Sequence, residues 1–211
     1  MDDLSRLRDA VLQGDASKAV AATTSALEAG TDPLKLVEDA IGPAMNEVGR
    51  LFEEGEYFVP ELLIAARATK QVFELIRPLL SEAGAQPKGR VVLGTVEGDL
   101  HDIGKNLVAA MLEGGGFEVV DLGVNVQSGK LVEAVGTSEP QIVGISSLLT
   151  TTLPAMQTAL QALAAAGLRE RVKVMVGGAP VTQAFADSIG ADGFGSNAAA
   201  AVEVARKLIS A

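Results

Sequence analysis

Residues 1–84 carry apolar side chains at spacings of three and four, which is the period of an amphipathic helix. Apolar residues with this spacing include Leu4, Leu7, Val11, Leu34, Val37, Ile41, Met45, Val48 and Phe52. Asp15 and Asp32 are suited to cap helices, and Pro33 and Pro60 fit first helical turns. The pattern therefore predicts four helices with short joints, arranged as an N-terminal antiparallel four-helix bundle.

From residue 90 onward, short β-branched runs alternate with helical stretches. The runs are VVLGTV, FEVVDL, QIVGISSL, VKVMVGG and ADGFG. Strands that alternate with helices predict an open parallel sheet covered on both faces. Residues 90–211 are predicted to form an α/β flavodoxin-like (Rossmann-like) domain whose five-stranded parallel sheet has the common order 2-1-3-4-5. The Gly- and Pro-containing segment 85–89 is predicted to be a linker.

Unusual residues follow the first, third and fourth predicted strands. The segment Glu97–Gly104 contains the only histidine of the chain, Ser146–Thr152 has five hydroxyls among seven residues, and Gly177 and Gly178 follow the fourth strand. Ligands of open α/β sheets bind outside the carboxyl ends of the strands. Because these three strands are neighbours in the predicted order, their loops are expected to surround one cavity.

Composition narrows the chemistry that this cavity can support. The chain has no Cys and no Trp, and one His, His101. Disulfides, thiolate metal sites and cysteine nucleophiles are excluded, and a site with two imidazoles is excluded as well. The formal net charge of −10 argues against nucleic acid and anionic membranes as partners. With no apolar run of membrane length and no signal-peptide pattern, a cytoplasmic location is predicted.

Asp99 precedes His101 by two residues in the loop after the first strand. The carboxylate can accept a hydrogen bond from one ring nitrogen and leave the other nitrogen free to bind a metal. Two alternatives stay open. The histidine can be a surface residue tied to a neighbouring aspartate, or it can join Glu97, Asp99 and Asp102 in a divalent-cation site.

The glycines also have two interpretations. Gly104 and the pair Gly177 and Gly178 can simply make tight turns, or they can offer bare backbone to a ligand. They lack the spacing of a dinucleotide fingerprint. A response-regulator receiver is disfavoured, because Ser146 occupies the position of its phospho-accepting aspartate.

Together, these segments resemble the cobalamin-binding signature D-x-H-x-x-G … S-x-L … G-G. Here they read Asp99-Leu100-His101-Asp102-Ile103-Gly104, Ser146-Ser147-Leu148 and Gly177-Gly178, with separations that suit the family. The stretch Glu54–Leu62 resembles the helical cap of corrinoid proteins from methyltransferase systems and of cobalamin-dependent methionine synthase. The resemblance covers nearly the whole chain. It is strongest to the free-standing corrinoid proteins that serve methanol, methylamine, glycine betaine or aryl methyl ether demethylation.

The resemblance implies a role for each matching residue. His101 would be the lower axial ligand of cobalt, in place of the cofactor's own dimethylbenzimidazole. Asp99 would hold the far nitrogen of His101, and Thr152 would continue that chain, so these three are the implied catalytic residues. Phe58 and Leu62, with Ala65 on the same helical face, would cover the upper face of the corrin. The other residues implied to bind the cofactor are Gly98, Asp102, Ile103, Gly104, Ser146, Leu148, Thr150, Gly177 and Gly178.

The function that the resemblance implies is that of a methyl carrier with cobalamin as cofactor. Reduced cobalt(I) would accept a methyl group from a substrate-specific methyltransferase. The methyl-cobalt(III) form would pass it to a second methyltransferase that uses tetrahydrofolate or a thiol coenzyme. A reductive activase is a further implied partner. The chain would be one component of a methyltransferase system rather than a stand-alone enzyme.

Three alternatives remain at this point. A cobalamin-dependent sensor shares the cap and the sheet domain, but the predicted bundle occupies the residues where a DNA-binding module would be expected. An isolated adenosylcobalamin mutase subunit would lack the helical cap. A magnesium-dependent or purely interacting flavodoxin-like protein would bind no corrinoid.

Overall fold

The computed structural model of the chain describes residues 2–82 and 86–210. They form two units, of which the first comprises Met1–Lys88 with Ala110–Gly116 and the second comprises Gly89–Ala109 with Phe117–Ala211. The predicted boundary between residues 84 and 85 lies outside the described residues, so the linker 85–89 stays a prediction.

The first unit is built from helices, as the apolar spacing predicts. Its helices are α1 (Asp3–Leu12), α2 (Ala16–Glu28), α3 (Pro33–Lys35), α4 (Gly42–Glu53) and α5 (Val59–Glu82). The predicted caps are confirmed. Asp15 accepts a hydrogen bond from the N–H of Lys18 at 3.0 Å, and Asp32 accepts one from the N–H of Leu34 at 2.9 Å. Each cap satisfies a backbone donor that the first helical turn would otherwise leave unpaired.

A wide helical turn joins α3 to α4, and the apolar spacing does not predict it. Residues Leu36–Ile41 are π-helical, and the N–H of Gly42 donates to the carbonyl oxygen of Val37, five residues earlier. Pro43 has no N–H, so it cannot donate the backbone hydrogen bond that a regular α-helix would have at this position. The chain therefore makes one helix-like segment from Pro33 to Glu53, which corresponds to the third predicted helix.

The second unit is a five-stranded parallel sheet with helices between its strands, so the predicted fold class is confirmed. The strands are β1 (Arg90–Thr95), β2 (Glu118–Asp121), β3 (Ile142–Ser146), β4 (Lys173–Gly177) and β5 (Gly193–Gly195). Their order is β2-β1-β3-β4-β5, as predicted. The helices are α6 (Ile103–Gly114), α7 (Ser128–Ser138), α8 (Leu153–Ala165), α9 (Gln183–Ser188) and α10 (Ala198–Ser210).

The central strands are buried and end in register. Val92, Val143 and Val174 have no exposed surface, which explains why these strands are apolar without alternation. Thr95 pairs with Ser146, and Ser146 pairs with Gly177. The loops that follow β1, β3 and β4 therefore start side by side at one edge of the sheet.

None of the helices within residues 2–82 and 86–210 is both long and apolar enough to cross a membrane.

Candidate functional site

The loop after β1 turns back on itself and places Asp99 inside the second unit. The N–H of Asp99 donates to the carbonyl oxygen of Val96 at 3.1 Å, and Gly98 has a left-handed φ of 82°. The hydroxyl of Thr95 donates to the carbonyl oxygen of His101 at 2.9 Å. These bonds return the chain to the end of β1, with the Asp99 carboxylate fully buried and the His101 side chain 52% exposed.

Asp99 and His101 are joined by two hydrogen bonds to one carboxylate oxygen. The backbone N–H of His101 donates to Oδ1 of Asp99 at 3.0 Å, and ring atom Nδ1 lies 2.7 Å from the same oxygen. An ionised carboxylate only accepts hydrogen bonds, so Nδ1 carries the proton of this bond, and the other ring nitrogen, Nε2, takes no part in it. This is the arrangement of a metal-binding histidine that is supported from behind by a carboxylate.

The second oxygen of Asp99 is bound by the loop after β3. Oδ2 accepts the N–H of Leu148 at 2.6 Å, the N–H of Leu149 at 3.3 Å and the hydroxyl of Thr152 at 3.2 Å. A buried carboxylate is stable only when such donors replace water. Asp99 therefore connects the two loops, and the structure brings together all three residues predicted to be catalytic.

These contacts also determine the charge of Asp99. Burial raises the pKa of this carboxyl, but hydrogen bonds from the N–H groups of His101 and Leu148, the His101 ring and the Thr152 hydroxyl outweigh it. The pKa of Asp99 consequently lies well below its usual range. The carboxylate is ionised at neutral pH and holds the proton on Nδ1 of His101.

Ser147 extends this hydrogen-bonded chain, although the sequence analysis did not single it out. Its buried hydroxyl lies 2.7 Å from that of Thr152, and both hydroxyls contact the carbonyl oxygen of Leu149, at 3.2 and 2.9 Å respectively. Ser146, which was predicted to bind the cofactor, is half-buried at the last position of β3. The resemblance implied a role for Thr152, but within the dense run of hydroxyls no signal distinguished Ser147.

Gly177 and Gly178 are required by close contacts of the backbone. A Cβ on Gly178, which has a φ of 125°, would lie 1.8 Å from the carbonyl oxygen of Ser147. A Cβ on Gly177 would lie 2.8 Å from the carbonyl oxygen of Gly195. The glycines thus allow the ends of neighbouring strands to pack together. A contact of either glycine with a ligand stays a prediction.

Asn125, in the loop after β2, is a further site residue that the sequence did not reveal. Its N–H donates to the carbonyl oxygen of Asp99 at 2.9 Å, and its Oδ1 accepts the N–H of Gly98 at 2.8 Å. Its φ of 51° is left-handed, a conformation that asparagine tolerates better than most residues. One asparagine in a loop carries no distinctive pattern, so only the fold shows that it holds the histidine loop.

The remaining predicted residues of this unit lie on the surface beside His101. Asp102, Ile103 and Gly104 form the start of α6 and are exposed, as are Leu148 and Thr150. Large apolar side chains that stay exposed beside the histidine are Leu100 (70%), Ile103 (65%), Leu148 (44%) and Leu149 (39%). Exposed apolar side chains grouped around a polar centre are typical of a ligand-binding surface.

In the first unit, the predicted cofactor contacts have different environments. Phe58, immediately before α5, is 64% exposed and is therefore not a core residue of the bundle. Leu62 and Ala65 have no exposed surface. One turn into α5, that side of the helix is thus buried, and a contact of Leu62 or Ala65 with a corrinoid stays a prediction. The exposed apolar neighbours of Phe58 are instead Val59 and Leu63.

The alternative of a divalent-cation site is not supported. Within the part of the chain that the structure describes, no three His, Cys, Asp or Glu side chains are grouped so that they could hold a metal ion. Both oxygens of Asp99 are already bound by protein donors, whereas Glu97 and Asp102 are exposed. Of the four residues in that ligand set, Asp99 and His101 are joined directly, through Oδ1 and Nδ1 at 2.7 Å.

Comparisons with known proteins extend over both units. Residues 89–204 match the family described as B12 binding domain, and residues 4–77 match a second family with the same description. Dimethylamine corrinoid protein 1 of Methanosarcina acetivorans is 45% identical to this chain over 193 residues, which cover 91% of each protein.

Two solved structures have a similar fold. A cobalamin-binding protein from Desulfitobacterium hafniense is 34% identical, with a TM-score of 0.79 and coverage of 97% of this chain and 98% of that chain. The methanol:cobalamin methyltransferase complex of Methanosarcina barkeri contains a chain that is 33% identical, with a TM-score of 0.87. That match covers 99% of this chain and 80% of the other.

Proposed function

The chain belongs to the family of B12-binding corrinoid proteins, and on this premise we propose that it carries methyl groups between two methyltransferases. Its cofactor is cobalamin, as the sequence resemblance implied. Such a protein is one component of a methyltransferase system, because the enzymes that bind the methyl donor and the methyl acceptor are separate chains.

The observation that carries this proposal is the arrangement of His101. Its Nδ1 is bonded to the buried carboxylate of Asp99, and its half-exposed ring leaves Nε2 free. An imidazole held in this way would be able to hold the cobalt of a corrinoid through Nε2. When bound, the corrinoid supplies a cobalt centre that accepts a methyl group and later releases it. We therefore assign His101 as the proposed cobalt ligand.

The other residues act on this imidazole or on the ring around it. Asp99 keeps the proton on Nδ1, which directs the lone pair of Nε2 outward. Thr152 and the N–H of Leu148 hold Asp99 in place. The exposed apolar side chains beside His101 offer a water-excluding surface to the macrocycle. Phe58 is the proposed apolar contact from the helical unit.

The relatives support the choice of partners. In Methanosarcina barkeri a chain of similar structure is part of a methanol:cobalamin methyltransferase complex. We propose a substrate-specific methyltransferase as the first partner of this chain, a second methyltransferase using tetrahydrofolate or a thiol coenzyme as the acceptor enzyme, and a reductive activase. The names of relatives that serve dimethylamine and trimethylamine make methylated amines the first donors to test.

The single histidine permits a direct test of the ligand assignment. The protein is produced with ¹⁵N-labelled histidine, which labels only His101, and is reconstituted with hydroxocobalamin. After reduction to cobalt(II), the electron paramagnetic resonance spectrum reports the axial nitrogen. Coordination by His101 should change the nitrogen splitting from the triplet of ¹⁴N to the doublet of ¹⁵N.

A triplet that persists after labelling would mean that the cofactor keeps its own lower base, and the assignment of His101 would be wrong. His101→Ala serves as the control, because it should show no labelled-nitrogen splitting. If the protein bound no corrinoid at all, the carrier function itself would be contradicted. Methyl transfer from methylated amines or methanol, with the matching methyltransferase added, then tests the donor class.

A further inference from the structure

Lys105 is a buried charged residue that the proposed function does not use. Among the described residues, the charged side chains that are fully buried are those of Asp99 and Lys105. The Lys105 side chain is 1% exposed. A buried ammonium group is tolerated only when it is paired, so its partners indicate its role.

The partners of Lys105 connect the start of α6 to the end of β2. Its Nζ lies 2.5 Å from Oδ2 of Asp121, the last residue of β2, and 2.7 Å from Oδ1 of Asn106. Asn106 in turn donates from Nδ2 to the carboxylate of Asp102 at 3.1 Å. Asp102 directly follows the proposed cobalt ligand, so this network reaches the carboxyl side of the histidine loop.

The turn after β2, which we call the β2 turn (Asp121–Asn125), also holds the amino side of that loop. Asn125 accepts a hydrogen bond from the N–H of Gly98 and donates one to the carbonyl oxygen of Asp99. Within the turn, the N–H of Gly123 donates to Oδ1 of Asp121 at 2.9 Å. The carboxylate that pairs with Lys105 therefore also shapes the turn that carries Asn125.

We propose that Lys105 is a positioning residue for His101, because it anchors the start of α6 to the β2 turn, which holds the other side of the histidine loop. Asp99 then sets the orientation of the ring, and Lys105 sets the position of the backbone that carries it. This inference rests on the proposed function in taking His101 as the cobalt ligand.

Lys105→Met is the informative substitution. Methionine keeps an unbranched apolar side chain in the buried space and removes the ammonium group. Asp121 is 39% exposed and can be hydrated when its partner is lost, so the variant leaves no buried unpaired charge. Loss of the fold is therefore not expected, and a change at His101 can be attributed to the missing anchor.

The first measurement uses the protein without cofactor. Nuclear magnetic resonance of the ring of His101, the only histidine, reports its motion and its bond to Asp99 without ambiguity. In Lys105→Met we expect greater ring mobility and a shifted Nδ1 signal. Cobalamin affinity should fall by about tenfold, the lower end of the effect seen for residues that orient metal ligands. The double variant Lys105→Met with Asp121→Asn, which leaves no buried ammonium group, should show the same two changes and add little to the single variant.

Arg90→Met is the matched control. Arg90 pairs with Glu118 at 2.9 Å at the opposite end of β2, so this variant also breaks an ion pair of the same strand. It should lower stability and leave the His101 signals unchanged. If Lys105→Met behaved like this control, with unaltered ring signals and cobalamin affinity, the positioning role would be disproved. The ring measurement needs no cofactor, so failure of the wild type to bind cobalamin would contradict only the proposed function.

Discussion

Asp99 is the residue on which the contacts of the site converge. Its two oxygens accept hydrogen bonds from the histidine loop on one side and from the loop after β3 on the other. The same carboxylate therefore orients His101 and joins two loops that are far apart in the chain. At the scale of single residues, the proposed function and the stability of the fold therefore depend on the same atoms.

Asp99→Asn should remove a pH-dependent part of the stability. The pKa of Asp99 in the folded protein lies below its ordinary value of 3.8. The ionised carboxylate therefore stabilises the fold above that ordinary pKa, and this stabilisation is lost as the pH falls toward the lower folded pKa. We expect a loss of about 2–3 kcal/mol at pH 7. Urea unfolding of both proteins from about pH 6 to pH 2 checks this, because their difference should shrink with falling pH.

A difference in unfolding free energy that stayed constant over this pH range would mean that the charge of Asp99 does not contribute to stability. Asp187→Asn is a suitable control for the method, because Asp187 is exposed and pairs only with Gln183 of its own helix, at 2.8 Å.

Gly178→Ala should disturb the site without touching a predicted catalytic residue. The added Cβ would overlap the carbonyl oxygen of Ser147, and the left-handed backbone disfavours alanine. A loss of about 2–4 kcal/mol of unfolding free energy is expected. Gly136→Ala is the matched control, since a Cβ on this residue in the last turn of α7 meets nothing within 4 Å. It should stabilise the protein by up to about 1 kcal/mol, and equal effects of the two variants in urea unfolding would contradict this account.

At the scale of elements, the start of α5 places Phe58 on the surface and Leu62, one turn later, in the core. The N–H of Phe58 donates to the carboxylate of Glu61 at 2.9 Å, which fixes where the helix begins. Phe58 stays exposed, whereas Leu62 is one turn further along and is buried. The bundle core needs Leu62, while packing within the unit gives no reason for an exposed phenylalanine.

Phe58→Ala should therefore affect the cofactor more than the fold. We expect an unfolding free energy within about 0.5 kcal/mol of the wild type, together with a changed absorption spectrum of the bound corrinoid. Leu62→Ala should show the reverse, with a loss of about 2–5 kcal/mol. Chemical unfolding and absorption spectra of both variants check the two roles. An unchanged corrinoid spectrum in Phe58→Ala would remove Phe58 from the proposed site.

At the scale of the whole molecule, cofactor binding and folding are coupled. The β1 loop and the β3 loop reach the same sheet edge only in the folded sheet, so the unfolded chain cannot present His101 together with its supports. A ligand that binds only the folded state raises the unfolding free energy with the logarithm of the ratio of its concentration to its dissociation constant. Cobalamin should thus act as a stabiliser of the second unit as well as a reactive group.

Hydroxocobalamin at a hundredfold excess over its dissociation constant should raise the unfolding free energy by about 2.7 kcal/mol. His101→Ala should reduce this increment at the same cofactor concentration, because its affinity is lower. Without cofactor, the variant should lose about 1–3 kcal/mol, because the buried carboxylate of Asp99 loses the hydrogen bond from Nδ1. Unfolding of both proteins with and without cofactor checks these values. An equal increment in both would show that His101 contributes nothing to affinity.

The strand order and all five strands were predicted correctly, because long apolar β-branched runs separated by helical periods leave few alternatives to a parallel doubly wound sheet. The capping aspartates were predictable because a cap bonds to a backbone group three residues away at most. The π-helical turn at Leu36–Ile41 was not predicted. It depends on the backbone hydrogen bonds that are interrupted at Pro43, and the spacing of apolar residues carries no information about these bonds.

The sequence by itself determined that the loops after β1, β3 and β4 meet, because the carboxyl ends of neighbouring parallel strands lie at one edge of the sheet. It also determined that any imidazole at that edge belongs to His101, because the chain has one histidine. Only the tertiary structure decided that Ser147 extends the hydrogen-bonded chain beyond Thr152, that Asn125 is bonded to the histidine loop, that Lys105 is buried against Asp121, and that Leu62 belongs to the core. These facts depend on contacts between residues distant in the chain. The direction of a side chain at such a contact is determined by packing, and the pattern of neighbouring residues in the sequence does not predict it.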